Sequence, residues 1–153
     1  MLKLREYEQK DIDEILSLFH ESVHVICKND YSSEQLEAWS LSSLDKNKWQ
    51  ETLSAHRSVV VESDGKIVGF GDFVPEQNYL DHLYVKPDFI RQGIANMICD
   101  CLESFSISGE IDVDSSITAL PFFQKRGFVI QRRQEVERRG VVLVNFRMKK
   151  GGL

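Results

Sequence analysis

The 153-residue chain lacks the features that would place it in a membrane, in an oxidising compartment or around a metal ion. It has no apolar run approaching the roughly 20 residues that a membrane-spanning helix requires, and its first residues do not resemble a secretion signal. Its three cysteines are too few and too irregularly spaced for a disulfide framework. Neither paired histidine ligands nor a Gly-Lys-Ser/Thr phosphate loop occurs. We therefore expect a cytoplasmic protein that binds no membrane and no metal.

An excess of basic residues is also missing. Lysine and arginine total 19 against 24 aspartates and glutamates, which gives a net charge of −5. Because counterion release on nucleic acid needs a basic surface, this balance argues against a nucleic-acid partner. A cationic amine would suit the acidic field better. The length, with 42% hydrophobic and 28% charged residues, predicts a single domain over residues 1–153.

Hydrophobic periodicity predicts an edge strand and then helices in the first third of the chain. A strand at 2–7 precedes a helix with one apolar face at 12–26. Asp11 with Glu14 predicts a capping box at the start of that helix. Short helices then continue to about residue 55.

The rest of the chain predicts strands with two further helices among them. A hairpin turned at Asp64-Gly65 and a strand at 79–85 lead to an amphipathic helix after Gly93. A strand, a helix and two final strands follow. This order predicts an α/β (α+β) fold with a mixed, mostly antiparallel sheet of about seven strands flanked by helices. Gly69-Phe70-Gly71, inside a strand, predicts a bulge or a close backbone approach.

Residues 90–95, with the sequence Ile-Arg-Gln-Gly-Ile-Ala, follow a predicted strand and open a helix. A helix N-terminus leaves backbone N–H groups without partners and carries roughly half a positive charge. Gly93 and Ala95 are small enough for a ligand's oxygens to approach the peptide nitrogens, and Arg91 adds a full charge. The segment therefore predicts a pyrophosphate site for a phosphate-bearing cofactor.

Two motifs resemble the GNAT superfamily of N-acetyltransferases, and the match runs over nearly the whole chain. Residues 83–95, Leu-x-Val-x-Pro-x-x-x-Arg-Gln-Gly-x-Ala, are similar to the superfamily's acetyl-CoA segment. Residues 116–128, Ser-x-x-Ala-x-x-Phe-Phe-x-x-x-Gly-Phe, resemble its late helix, which ends in aromatic-x-x-x-Gly-Phe. Both stand in the matching strand–helix–strand–helix context. The resemblance implies a small single-domain member that uses acetyl-CoA as co-substrate.

The resemblance also implies where the cofactor binds. Members splay the fourth strand from the fifth, and the pantetheine arm lies in this V like an added strand. Backbone groups of Leu83 and Val85 would bind the thioester and pantetheine, and the amides of residues 91–96 would hold the pyrophosphate. The implied cofactor-binding residues are Leu83, Tyr84, Val85, Arg91, Gln92, Gly93, Ile94, Ala95, Asn96 and Phe123.

The implied reaction is direct transfer of the acetyl group to a primary amine of a small-molecule acceptor. An alkyl amine has a pKa of about 10 and attacks only when neutral, so its proton must be removed. The superfamily's pattern implies Asp81 or Tyr79 as the catalytic group, with Asp81 as the preferred base. His82 titrates near neutral pH, but strand alternation turns it away from Asp81 unless a bulge intervenes. Glu76 is a further candidate.

Two positions depart from the superfamily's pattern. Ile90 stands where Gln or Arg is usual, which backbone amides and the adjacent arginine compensate. Phe123 stands where many members carry a tyrosine that protonates the leaving thiolate, and phenylalanine has no proton to give. The general acid is therefore unassigned, and direct departure of the thiolate or help from Ser115, Ser116 or Tyr84 stays open.

The acceptor site is the least defined part of the sequence. Tyr31 and Trp39 lie in an irregular segment that covers the amine site in related folds, so we expect them to bind substrate or to be ordinary core aromatics. We expect His24 and His56 to be exposed or at helix ends. A protein (lysine or N-terminal) acetyltransferase and a non-catalytic acyl-CoA-binding regulatory domain stay open as alternatives, as does a homodimer.

Overall fold

The computed structural model describes residues 1–40 and 44–151, which form seven strands and five α-helices. The strands are β1 (Leu2–Glu6), β2 (Arg57–Ser63), β3 (Lys66–Val74), β4 (Tyr79–Val85), β5 (Ile111–Ser116), β6 (Val129–Arg138) and β7 (Val141–Lys150). The helices are α1 (Ile12–Ile26), α2 (Ser33–Trp39), α3 (Lys46–Ala55), α4 (Ile94–Glu103) and α5 (Leu120–Lys125). None of these helices is long and apolar enough to cross a membrane.

The strands form one sheet in the order β1-β2-β3-β4-β5-β7-β6, antiparallel except where β4 runs beside β5. The hairpin between β2 and β3 turns at Asp64 and Gly65, whose φ angles of 51° and 79° are those that a two-residue hairpin loop requires. The predicted mixed, mostly antiparallel sheet flanked by helices is confirmed.

Helices cover both faces of the sheet and divide the core in two. α1 packs on β3 and β4 from one face, and α4 packs on β2, β3 and β4 from the other. The apolar stripe of each helix supplies the contacts, as an amphipathic helix on a sheet requires. The α1 side is built around Ile15, Phe19, Val23, Val60 and Phe70, and the α4 side around Phe73, Leu80, Ile98, Leu102 and Met148.

Two glycines of β3 let α4 lie directly on the sheet. A Cβ on Gly71 would stand 2.8 Å from both the His82 carbonyl oxygen and Ile98 Cγ2, and one on Gly69 would stand 2.8 Å from Ile94 Cγ2. The close backbone approach expected for this segment is therefore present, and it fixes α4 against the middle of the sheet.

The start of α1 differs from the predicted capping box. The helix begins at Ile12 as expected, but the Asp11 carboxylate accepts from both terminal nitrogens of Arg5, each at 2.8 Å, and from the Glu8 amide. Glu14 accepts from the Ile67 amide at 3.0 Å instead of capping the helix. The prediction was wrong because tertiary partners compete for both carboxylates.

Candidate active site

β4 and β5 hydrogen-bond along only a short stretch before they part. Two residue pairs, Tyr79 with Asp112 and Leu80 with Val113, join the described parts of these strands. β4 then continues to Val85 without a strand partner on that edge. The sheet therefore opens into a V with unpaired backbone groups along one arm.

A cavity of about 380 Å³ fills this gap and reaches the first turn of α4. Apart from Gln92, every residue predicted to bind the cofactor lines it: Leu83, Tyr84, Val85, Arg91, Gly93, Ile94, Ala95, Asn96 and Phe123. Gln92 lies in the same turn but does not line the cavity. The cavity therefore brings together the two motifs that the sequence singled out.

The turn before α4 has the geometry of an anion site. Arg91 and Gly93 have φ angles of 64° and 81°, and the helix begins at Ile94 without a side-chain N-cap. A Cβ on Gly93 would meet nothing within 4 Å, so the space in front of the turn is open. Helix N-termini with free amides and open access are favourable for phosphate groups.

The wall of this cavity around Phe123 is aromatic and offers few side chains that could donate a proton. Phe123 is 3% exposed, and its ring centroid lies 5.2 Å from those of Phe122 and Phe128. Ser115 Oγ donates to the Ser116 carbonyl at 2.9 Å, whereas Ser116 Oγ accepts from the Ala119 amide. Of the two serines, Ser116 thus keeps its hydroxyl proton for another acceptor.

A second cavity, of about 360 Å³, adjoins the first on the α1 side. Trp39, Asp81, Tyr84, Asp114 and Ser116 line both cavities, so these residues mark the junction. We call the first the cofactor cavity and the second the acceptor cavity, after the roles that the sequence predicts for residues lining them.

Aromatic side chains form much of the wall of the acceptor cavity. The Phe19 ring centroid lies 4.7 Å from that of Trp49 and 4.8 Å from that of Tyr84. Arg138 and Arg139 also line this cavity. It thus combines apolar faces, a carboxylate at the junction and positive charge.

Both residues predicted to bind the acceptor line this cavity, and one of them also has a structural role. The Tyr31 hydroxyl accepts from the Ile117 amide at 2.9 Å and donates to the Val144 carbonyl at 2.6 Å. Its ring contacts that of Trp39, with centroids 5.3 Å apart. Tyr31 therefore ties the loop after β5 to β7, while Trp39 faces both cavities.

A β-bulge brings Asp81 and His82 together. His82 pairs with Asp72 and Leu80 with Phe73, which leaves Asp81 as the extra residue of β4. Asp81 Oδ2 lies 3.5 Å from His82 Nδ1, and both residues line the acceptor cavity. The bulge is the exception to strict alternation that the sequence left open, and it is the reason why the two side chains share a cavity.

Sequence analysis missed two residues that complete this cluster. Asp72 on β3 is fully buried, and its Oδ1 accepts from the His82 amide at 2.8 Å and from His82 Nδ1 at 2.9 Å. His56 Nδ1 contacts Asp72 Oδ2 at 2.8 Å. His56 ends α3, as expected, but its side chain is only 20% exposed. The sequence contains one hint of this cluster, which is that Asp72 is the only acidic residue among the mostly apolar residues of β3.

Mutual contacts shift the pKa values of all four groups. Burial raises the pKa of Asp72, but the charges and hydrogen bonds of His82 and His56 outweigh burial and hold it below its usual value. Burial lowers the pKa of His82, but Asp72 outweighs this effect and the pKa is raised. The hydrogen bond to Asp72 raises the pKa of His56. Burial, with the charge of Asp72, raises the pKa of Asp81.

The other predicted bases are placed less favourably. The Tyr79 hydroxyl donates to Asp114 Oδ2 at 2.8 Å, and burial followed by this bond raises its pKa. Gln134 also donates to Asp114, and Arg147 lies 2.8 Å from it. Glu76 is exposed and lines neither cavity.

One group among the described residues has ligand atoms close enough together for a metal ion. These atoms of His56, Asp72 and Asp81 lie within 4.8 Å of one another. The contact of 2.8 Å between His56 Nδ1 and Asp72 is a hydrogen-bond distance, and the expectation of no metal stays a prediction.

Comparison with known proteins agrees with this architecture. A family model of the acetyltransferase (GNAT) domain matches residues 27–150. An uncharacterised N-acetyltransferase of Escherichia coli, YafP, is 32% identical over 148 residues, which cover 97% of this chain and 95% of that protein.

Solved structures show the same fold. The crystal structure of a GCN5-related N-acetyltransferase from Rhodopseudomonas palustris has a TM-score of 0.92 and 32% identity, covering 97% of this chain and 94% of that one. The PaiA N-acetyltransferase from Thermoplasma acidophilum, solved in complex with coenzyme A, has a TM-score of 0.78 and 18% identity, covering 98% of each chain. The chain therefore belongs to the GNAT family and is an acetyltransferase.

Proposed function

We propose that this acetyltransferase moves the acetyl group of acetyl-CoA directly to the primary amine of a small molecule, with Asp81 as the proton acceptor. One observation carries the proposal. Asp81 stands where the cofactor cavity opens into the acceptor cavity, so a thioester on one side and an amine on the other would meet beside its carboxylate.

Three features support acetyl-CoA as the donor. The edge of β4 beyond Leu80 offers unpaired backbone groups to an extended pantetheine arm. The turn at Arg91 to Gly93 offers free amides to a pyrophosphate. The neighbouring structure of PaiA contains coenzyme A.

The acceptor cavity suits a cation with an apolar body. Phe19, Trp49 and Tyr84 present aromatic rings that attract ammonium groups. Asp81 supplies an acceptor at the junction, whereas Asp114 is already taken up by Tyr79, Gln134 and Arg147. A volume of about 360 Å³ is near the lower end for small-molecule sites.

In the proposed reaction the acceptor's ammonium group loses a proton to Asp81. The neutral amine then attacks the thioester carbonyl, a C–N bond forms and the C–S bond breaks, so that coenzyme A leaves as a thiolate and takes up the second proton that the nitrogen loses. The raised pKa of Asp81, caused by burial and by Asp72, makes its carboxylate a stronger base than an exposed aspartate. Ser116 and Tyr84 each line both cavities, and Ser116, which keeps its hydroxyl proton, is our candidate substitute for the missing tyrosine.

Turnover with an amine panel tests this function. Small primary amines should release coenzyme A from acetyl-CoA faster than lysine-containing or free N-terminal peptides, because a cavity of about 360 Å³ suits a short acceptor. Faster turnover with the peptides would support the protein acetyltransferase alternative. The absence of heat with either coenzyme A or acetyl-CoA in calorimetry would sink the donor assignment.

The role of Asp81 has its own test. Asp81→Asn keeps the size of the side chain but removes the base, so kcat should fall by about 100-fold or more, the usual contribution of a general base. Affinity for coenzyme A should stay unchanged, because the phosphate turn is not altered. An Asp81→Asn enzyme that keeps wild-type turnover across the pH range would exclude this residue as the base.

A further inference from the structure

Asp72 receives hydrogen bonds from two imidazoles in the interior of the sheet. It is 0% exposed, and its two oxygens face His82 Nδ1 at 2.9 Å and His56 Nδ1 at 2.8 Å. An ionised carboxylate only accepts hydrogen bonds, so each of these nitrogens must carry a proton. When neutral, both imidazoles are therefore held in the Nδ1–H tautomer, with a lone pair on Nε2.

The imidazole of His82 lies at the acceptor cavity. Its ring centroid lies 4.8 Å from that of Trp49 and 6.3 Å from that of Phe19, which holds its orientation. His82 lines the acceptor cavity, and no described residue forms a hydrogen bond with its Nε2. This is the arrangement in which an aspartate fixes the tautomer and orientation of a histidine base.

We propose that Asp72 and His56 are positioning residues of the proton acceptor. Asp72 fixes the His82 Nε2 lone pair toward the acceptor cavity, and His56 shares the same carboxylate and thereby limits how tightly His82 and Asp81 hold a proton. This inference rests on the proposed N-acetyl transfer. Asp81 takes the amine's proton, His82 Nε2 offers a second proton acceptor in the same cavity, and the proton returns to water after the product leaves.

Charge balance in the cluster gives the two positioning residues opposite effects. The carboxylate of Asp72 favours a proton on both His82 and Asp81, so its charge raises their pKa values. His56 lies 3.6 Å from Asp81, and its positive charge opposes protonation of that carboxyl group. The charge of His82 likewise opposes protonation of His56. Because these groups interact, kinetics will report apparent pKa values of the cluster as a whole.

The other charged and titratable groups that line the cavities beside the cluster stay unchanged in the test below. On the acceptor side they are Tyr31, Tyr79, Tyr84, Asp114, Arg138 and Arg139, and on the His56 side they are Glu6, Tyr7 and Arg57. The charge of Asp114, like that of Asp72, raises the pKa of Asp81, but Asp114 forms an ion pair with Arg147. Asp72 is thus the charge that contacts both imidazoles.

The pH dependence of kcat/KM tests the proposal. Asp72→Asn should move the acidic limb to lower pH and reduce kcat by about 100-fold or more at neutral pH. His56→Gln should move the same limb to higher pH, because one positive charge near Asp81 and His82 is lost. His24→Gln, which removes a histidine whose Nε2 contacts the Ser40 carbonyl outside the cluster, should leave the limb unchanged.

Nitrogen-15 NMR of the histidines provides a readout that does not need turnover. Neutral His82 should show a protonated Nδ1 and an unprotonated Nε2 in the wild type, and His56→Gln should keep this state. Asp72→Asn should convert one of the two imidazoles to the Nε2–H tautomer. The Asn side chain accepts hydrogen bonds only at its oxygen, and the imidazole that faces its NH2 group must accept through an unprotonated Nδ1. If Asp72→Asn does not fold, the wild-type spectrum and the acidic limb of the His56→Gln enzyme still test the proposal.

Three outcomes would overturn the proposal. The first is an Nε2–H tautomer for His82 in the wild type. The second is an acidic limb that moves in the same direction in the Asp72→Asn and His56→Gln enzymes. The third is activity that chelators abolish and zinc restores, since the cluster would then hold a metal instead of a proton. An enzyme inactive with every amine but with the expected tautomers would contradict the proposed function while leaving the hydrogen-bond assignment intact.

Discussion

Gly93 and Gly65 adopt nearly the same left-handed backbone, with φ angles of 81° and 79° and open space where a Cβ would stand. They differ in location, because Gly93 opens α4 at the cofactor cavity and Gly65 turns the hairpin between β2 and β3. The two glycines therefore form a matched pair. The backbone cost of a side chain is the same at both, and only one side chain would meet a bound phosphate.

Gly93→Val should weaken coenzyme A binding at least tenfold, which corresponds to about 1.4 kcal/mol, because the side chain would fill the space that a pyrophosphate needs. Gly65→Val should lose a comparable amount of stability but keep its affinity. Isothermal calorimetry with coenzyme A measures both. Equal affinities in the two variants would mean that the phosphates bind elsewhere.

Tyr31 shows how a residue at the acceptor cavity can have a structural role. Tyr31→Phe removes the acceptor of the half-buried Ile117 amide, and leaving such an amide unpaired costs about 1 kcal/mol or more. We expect the free energy of unfolding in urea to fall by that amount while coenzyme A affinity is retained. An unchanged stability would show that water replaces the hydroxyl at both of its partners.

At the scale of elements, the arrangement of helices and strands follows from local patterns. The apolar stripe of α1, the hairpin turn at Asp64-Gly65 and the glycine turn before α4 each depend on nearby residues, and the structure has all three. The Asp11–Glu14 capping box failed because Arg5 and the Ile67 amide come from other elements. The bulge at Asp81 depends on how β4 aligns with β3, which no local pattern records.

The contact between α4 and β3 yields a prediction at this scale. Gly71→Ala should lower the free energy of unfolding by about 1–3 kcal/mol, because its Cβ would meet the His82 carbonyl oxygen, a backbone atom that moves only with the strand. Gly69→Ala should cost less, since its nearest neighbour, Ile94 Cγ2, is a side-chain methyl group and not a backbone atom. Urea unfolding of both variants measures the difference. A larger loss for Gly69→Ala would contradict this packing.

At the scale of the whole molecule, the buried cluster links stability to pH. The lowered pKa of Asp72 stabilises the fold above about pH 4 and loses this effect in acid. The raised pKa values of His56 and His82 stabilise the fold fully below about pH 6.5, and the effect disappears as pH rises through them. The raised pKa of Asp81 destabilises the fold above about pH 4, because its carboxyl group is harder to ionise in the folded state, so it too lowers stability as pH rises.

The free energy of unfolding should therefore be lower at pH 8.0 than at pH 5.5, as measured by urea unfolding at both values. Burial also raises the pKa values of the Cys27 and Cys99 thiols. Because free thiols titrate at about pH 8.5, measurements at or below about pH 8 limit the effect of these thiols on the free energy of unfolding. The double variant His56→Gln/His82→Gln should lose most of this difference. An undiminished difference in the double variant would assign it to other groups.

The sequence alone determined the family, the order of elements and the position of the glycine turn before α4. These features reside in local patterns: helical and strand periodicity, hairpin glycines, and two motifs with fixed spacing. Tertiary structure decided the chemistry of the acceptor side. Asp72, Asp81, His56 and His82 come from two strands and the end of a helix, and a single bulge turns two of them to the same side. A bulge depends on the register between strands, and a buried ion cluster depends on which strands become neighbours, so neither can be derived from residues taken in chain order.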